Sequence, residues 1–148
     1  MKTKAIVEEA LVCLLILLFV YASLSKLLDF HEYRKQLYNQ AFPAMFRPVL
    51  LWAIPVSELG LTLLLIFHVT RTWALYGSLV LLLLFTGYIA LVKLNFYHRI
   101  PCSCGGVLRS LTWTQHLVFN LCFMVVTVGA ILLRRKGKTF NHLKIVRS

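Results

Sequence analysis

Four long apolar runs constrain the fold of this chain more than any other feature, and they cover residues 5–28, 49–68, 73–95 and 112–133. A helix needs about 20 predominantly apolar residues to cross the hydrocarbon of a bilayer. Apart from closed barrels, only helices satisfy all of their backbone hydrogen bonds there. With 148 residues, 59% of them hydrophobic, the sequence predicts a single domain, 1–148. We expect this domain to be an all-α membrane protein that forms an antiparallel four-transmembrane-helix bundle.

The first run shares features with a secretory signal peptide, since Lys2 and Lys4 precede it and small residues follow over 22–25. Its apolar stretch is longer than the usual core of a signal peptide. We therefore expect a retained helix and not a cleaved leader.

The chain carries 16 Lys and Arg against 5 Asp and Glu, which gives a net charge of +11. In a soluble protein such a balance points to nucleic acid. Here the basic residues flank apolar runs, where they lie beside anionic lipid headgroups. The expected partner of these charges is therefore the lipid bilayer and not nucleic acid. A basic tail, 134–148, follows the last run, and we expect it to be frayed.

The basic cluster of that tail directly follows the fourth run, whereas basic residues on the opposite side are spread over two longer loops. By the positive-inside rule, both termini should lie in the cytoplasm. We therefore expect a multi-pass protein of the inner (plasma) membrane.

The polar segment between the first two runs has aromatic and apolar residues at helical spacing, namely Phe30, Tyr33, Leu37 and Tyr38. This spacing predicts a short amphipathic helix at the membrane surface. Pro43 should follow its end, and Pro48 is well placed to open the next helix. In the third run, Trp73 and Tyr88 are typical of aromatic residues at the two membrane interfaces.

Two polar residues lie inside the apolar runs. Glu58 lies roughly ten residues into the second run, about 15 Å from its start and near the midplane. A carboxylate at this depth is costly unless it is protonated or paired, so Glu58 is a candidate catalytic residue that should face the bundle interior. Alternatively, a protonated Glu58 serves only as a hydrogen bond between helices, the role we expect for Asn120 in the fourth run.

Cys102 and Cys104 lie between the third and fourth runs, flanked by Pro101 and a Gly105-Gly106 pair that favour a turn. Two cysteines that are separated by one residue can close only a small, strained ring. Strained and accessible disulfides are easily reduced, and they tend to be catalytic or regulatory. Both cysteines are therefore candidate catalytic residues for thiol-disulfide exchange.

Two other interpretations of this cysteine pair remain open. A structural zinc site needs four ligands, and His98 could supply a third, with His116 or His31 as a fourth only if the fold brings it close. The cysteines could also be ordinary structural thiols, which is what we expect of Cys13 and Cys122 in the apolar runs. We assign no metal site from the sequence.

Three patches of this sequence resemble the MauE family of methylamine utilisation proteins, within the wider DoxX-like group of four-helix membrane proteins. They are residues 25–30 (SKLLDF, with Tyr33-Arg34 and Phe42-Pro43 after it), 55–61 (PVSELGL), and 102–106 (CSCGG, with Trp113 and Asn120 after it). Their order and spacing carry the resemblance, over about residues 5 to 135. One departure is that Gly105-Gly106 stands where the family often has phenylalanine and glycine.

The resemblance implies a role in maturing a disulfide-rich exported enzyme subunit, beside an extracytoplasmic thioredoxin-like protein or the exported client itself. The DoxX-like group further implies electron exchange with a quinone, which Glu58 would assist as a proton relay. The leading hypothesis is therefore a thiol-disulfide oxidoreductase of the membrane. A non-enzymatic scaffold or accessory subunit for such a redox partner is the alternative, and metal binding or transport is a third.

Alkylation of single cysteines with a reagent that cannot cross the membrane tests the predicted topology. In intact cells, the Asn39→Cys and Ser103→Cys variants of a chain without other cysteines should be labelled from outside. The Lys138→Cys variant should be labelled only after permeabilisation. Labelling of Lys138→Cys in intact cells would reverse the orientation.

Overall fold

The computed structural model describes residues 2–40, 43–94 and 113–146, and it contains five helices there. They are α1 (Lys2–Leu28), α2 (Phe30–Tyr38), α3 (Arg47–Ile66), α4 (Arg71–Lys93) and α5 (Trp113–Val146). Four are long and apolar enough to cross a membrane, over Thr3–Leu28, Arg47–Ile66, Arg71–Leu91 and Thr114–Lys136. The predicted all-α membrane bundle is confirmed, and α2 is the predicted short helix between the first two spans.

The four long helices form a ring in which every neighbour is antiparallel. α1 packs against α3 and α5, and α4 packs against the same two helices. Residues 67–70 connect α3 to α4 in a single short turn, as expected for adjacent helices. Pro48 lies at the start of α3, where the missing N–H of proline costs no helical hydrogen bond.

One half of the bundle is closely packed. This half contains the first part of α1, the end of α3 and the start of α4. Its core is made by apolar residues from all four long helices: Val12, Leu15, Phe19, Leu65, Ala74, Leu75, Ala130 and Ile131. Gly77 of α4 shows how close the helices come, because a Cβ there would lie 2.8 Å from Leu61 of α3. Small residues let spanning helices approach until their side chains interlock.

Arg134 of α5 ties this packed end together. Its Nη1 atom donates to Glu8 Oε1 of α1 at 2.9 Å. Its Nε atom donates to Thr72 Oγ1 of α4 at 2.9 Å, and its Nη2 atom donates to the carbonyl of His68 at 2.6 Å. One guanidinium therefore joins α1, α4, α5 and the turn between α3 and α4.

Arg71 makes a second tie beside the first. Its Nη1 atom pairs with Glu9 Oε1 at 2.5 Å, and its Nε atom donates to the carbonyl of Leu65 at 3.0 Å. Arg71 is buried although it opens α4. It connects α4 to α1, which lies across the ring, through the ion pair, and to its neighbour α3 through the carbonyl.

The expected frayed tail is wrong over residues 134–146, because α5 continues as helix to Val146. Six of the residues 134–146 are Arg, Lys or Leu, which favour a helix, and no proline interrupts the segment. A helix that is already nucleated by its spanning segment adds residues at little cost.

The ties predict that Arg134→Gln lowers the free energy of unfolding by about 1.5–3 kcal/mol, because it removes charge-assisted hydrogen bonds and leaves Glu8 without its partner. Lys136→Gln, an exposed position on the same helix, is the matched control and should change stability by less than about 0.5 kcal/mol. Reversible unfolding in mixed micelles measures both. Equal losses in the two variants would contradict the role of Arg134.

Candidate functional site

The other half of the bundle is hollow. A cavity of about 500 Å³ lies there, between the second halves of α1 and α4, the beginning of α3 and of α5, and one face of α2. This volume is within the range of about 300–1,000 Å³ that is usual for small-molecule sites. Leucine, isoleucine and phenylalanine make up half of its lining residues, and nine polar side chains also line it.

An ion pair between α1 and α3 lies in the wall of this cavity. Lys26 Nζ is 2.7 Å from Glu58 Oε1, and it also donates to the carbonyl of Ala22 at 3.2 Å. Glu58 is 2% exposed, so it lies inside the bundle as expected. Two charges can be buried in a bundle of this kind when each has the other as its partner.

The position of Lys26 follows from helix geometry. Side chains tilt toward the beginning of their helix, so a lysine in the last turn of α1 points back into the bundle. Lys26 also continues the buried stripe of α1 after Phe19 and Ser23, at helical spacing. Sequence reasoning missed it by counting Lys26 among the charges of the loop, although this stripe was the signal that could have found it.

The α2 face that lines the cavity is Tyr33, Gln36 and Leu37, which are spaced as one side of a helix, and Gln40, just after the end of α2, also lines it. Gln40 accepts a hydrogen bond from the hydroxyl of Tyr88 on α4. Tyr88, expected as an interfacial aromatic, therefore lines the cavity, and its hydroxyl is held by the residue that follows the end of α2 by two positions. The amphipathic pattern found the helix but neither of the two glutamines that line the cavity, Gln36 and Gln40.

Asn120 and His116 of α5 lie one turn apart and also line the cavity. Asn120 is buried, as expected, but its Nδ2 atom makes no hydrogen bond with any residue in the described ranges. The expected bond from this nitrogen to a neighbouring helix is therefore not formed there. His116, one of the residues considered as a metal ligand, lies apart from His31, which is exposed on α2.

Three buried polar atoms around this cavity have no hydrogen-bond partner within the part of the chain that the structure describes. They are Gln36 Oε1, Glu58 Oε2 and Asn120 Nδ2, one each from α2, α3 and α5. A buried polar atom without a partner costs about 1–3 kcal/mol. Three such atoms around one cavity are typical of a site that is built to contact something inside it.

Cys102, Cys104 and His98 lie outside the described residues, so their pairing and roles stay predictions. Within the described ranges, no group of three His, Cys, Asp or Glu residues could hold a metal ion. Cys13 and Cys122 are free thiols on the outer surface of the bundle, and the inert role expected of them stays a prediction.

The arrangement has the chemical parts of a proton-handling site. Glu58 lines the cavity, with one oxygen on Lys26 and a second oxygen that has no protein partner among the residues described. A carboxylate in such a position can accept a proton from a bound molecule and release it again. The surrounding amides and the Tyr88 hydroxyl can orient such a molecule without adding charge.

A family model described as "Methylamine utilisation protein MauE" matches residues 4–133 of the chain. The matched stretch contains Lys26, Glu58 and Asn120, as well as the segment with both loop cysteines. No curated protein and no solved structure matches the chain.

The ion pair predicts that Lys26→Met is more damaging than removal of both charges. The single variant leaves the Glu58 carboxylate buried without a counter-charge, so it should lose about 3 kcal/mol of unfolding free energy. The Lys26→Met/Glu58→Gln double variant removes that charge and should recover most of the loss. The four unfolding free energies of this double-mutant cycle give the coupling directly. Additive losses in the cycle would mean that the two residues do not act as a pair.

Proposed function

The chain belongs to the MauE family of methylamine utilisation proteins, and on that premise we propose that this multi-pass membrane protein is a thiol-disulfide redox protein. It acts in the inner membrane and assists disulfide formation and maturation of exported proteins. Cys102 and Cys104 are its exchanging thiols, and Glu58 is its proton relay. Its partner is an extracytoplasmic thioredoxin-like protein or the exported client itself.

The buried Lys26–Glu58 pair supports this role, because it lies in the half of the bundle to which the cysteine segment is attached. α4 ends at Lys93 and α5 begins at Trp113, so the segment with both cysteines joins the bundle at its hollow end. His116, in the first turn of α5, already lines the cavity. Both ends of the cysteine segment therefore join the half of the bundle that contains Glu58, which supports a shared role in proton transfer and thiol exchange.

The reaction balances as two coupled exchanges. A dithiol of the partner reduces the Cys102–Cys104 disulfide and becomes a disulfide itself, through a mixed disulfide between the two proteins. Reoxidation of Cys102 and Cys104 then releases two electrons and two protons. A membrane quinone is a class of acceptor that takes both, and Glu58 would carry protons between the thiols and that acceptor.

The proposed orientation agrees with the chemistry. With both termini in the cytoplasm, the cysteine segment and the cavity end of the bundle face the extracytoplasmic side. Disulfides persist in that compartment, whereas cytoplasmic thiols are kept reduced. In this orientation, the ion pairs and hydrogen bonds of Arg71 and Arg134 lie at the cytoplasmic end of the bundle.

The proposal predicts a trapped covalent complex. In the mixed disulfide one loop cysteine is bonded to the partner, and the other is left as a free thiol that can displace the partner again. Replacement of this second cysteine by serine removes that escape and should accumulate the complex. Both Cys102→Ser and Cys104→Ser are needed, and non-reducing gels of cell membranes show which one traps a partner. Cys13→Ser and Cys122→Ser are the matched controls and should trap nothing.

A different outcome would favour the alternative function. If neither loop variant traps a partner, and the Cys102→Ser/Cys104→Ser variant supports client maturation at the normal rate, the redox role is wrong. The protein is then a scaffold or accessory subunit for a redox partner.

A further inference from the structure

The described wall of the cavity has no net charge, although two charged side chains line it. Lys26 and Glu58 compensate each other at 2.7 Å, and the other polar side chains that converge on the space are amides and hydroxyls together with His116. A charged molecule would lose its hydration on entry and find no free counter-charge on this wall, which costs several kcal/mol. The site therefore favours an uncharged ligand.

The unpartnered atoms specify the hydrogen bonds of that ligand. Glu58 Oε2 belongs to a carboxylate that is already paired with a cation, so it can only accept a hydrogen bond. As the two amides are placed, Asn120 Nδ2 can only donate a hydrogen bond and Gln36 Oε1 can only accept one. The complementary head group carries a hydroxyl that donates and an oxygen that accepts.

The remaining wall specifies the body of the ligand. Apart from these groups it consists largely of leucine, isoleucine and phenylalanine side chains on helices that span the membrane. Water fills such a space poorly, because it needs two to four polar partners for each molecule. An apolar body buried against these side chains gains about 25 cal/mol for each Å² removed from water.

We propose that the cavity binds an uncharged, membrane-soluble molecule whose head group carries a hydroxyl donor and an oxygen acceptor. Glu58 and Asn120 bind the head group, Gln36 completes the contact, and the apolar wall receives the body. Two sources of this chemistry exist in a membrane: a hydroquinone-type carrier and a neutral glycerolipid. The first would also place the electron acceptor of the proposed function in contact with Glu58, but binding itself does not rest on thiol exchange.

Four probes with the same decyl chain separate these cases: decylhydroquinone, monodecanoylglycerol, decylbenzene without a polar head group, and charged decylbenzenesulfonate. Each is added at equal mole fraction to the full chain in lipid nanodiscs, and the rise in melting temperature gives its apparent Kd. A hydroxyl-bearing probe should bind at least about fivefold more tightly than decylbenzene, and the sulfonate should not stabilise the protein. The stronger of the two hydroxyl probes identifies the source.

Asn120→Leu should raise the apparent Kd of the preferred hydroxyl probe by about two- to tenfold, which is the contribution of one hydrogen bond. It should leave the apparent Kd of decylbenzene unchanged. Thr127→Val is the matched control, since Thr127 is buried on the same helix, donates to the carbonyl of Phe123 at 2.7 Å and lies outside the cavity wall. Gln36→Met tests a second helix, should Asn120→Leu fail to fold.

The Cys102→Ser/Cys104→Ser variant keeps this test separate from the redox proposal. Normal probe binding in that variant together with lost client maturation supports both proposals. Normal binding with intact maturation overturns only the redox role. The binding proposal is overturned if all four probes stabilise the protein equally or not at all, or if Asn120→Leu and Gln36→Met bind the hydroxyl probe as tightly as Thr127→Val does.

Discussion

The Lys26–Glu58 ion pair is the contact on which the functional half of this protein depends. A carboxylate near the middle of a spanning helix is tolerated only with a partner, and here the partner comes from the last turn of α1. The pair fixes the register of α1 against α3, since an amine and a carboxylate in the same wall must meet at 2.7 Å. It also gives that wall a polar spot with no net charge, which sets the chemistry of everything the cavity can accept.

The two ends of the bundle differ in their packing. Small residues, the apolar core and the guanidinium groups of Arg71 and Arg134 make one end rigid. The other end leaves a space and surrounds it with amides and hydroxyls from α2, α4 and α5. A void in a core reduces stability, so the packed end must compensate for the hollow one. The packed end then holds the four helices together, and the hollow end provides the site.

The sequence was sufficient for the fold because helix length, apolar composition and short connections are local properties. They predicted four spanning helices and a short helix between the first two, and the structure has both. The site was only half found: Glu58 was identified from the cost of burying a carboxylate, whereas its partner, 32 positions earlier in the chain, was not. Tyr88 and Gln40 were missed for the same reason, because the pairing of two helices decides which polar side chains meet. The roles of Cys102 and Cys104 rest on their spacing, their flanking turn residues and the family resemblance alone.

The ion pairs also impose an order on how the protein is made. Lys26 and Glu58 both leave the ribosome with the first two spans, so α1 and α3 can meet as an early hairpin that already shields its two charges. Glu9 finds its partner Arg71 at the start of the third span, whereas Arg134, the partner of Glu8, is synthesised only with the last span. The first helix must therefore stay accessible until the last one is inserted. Closure of the ring is then a late, electrostatically guided step of biogenesis, during which chaperones and insertion factors have time to act on the half-built protein.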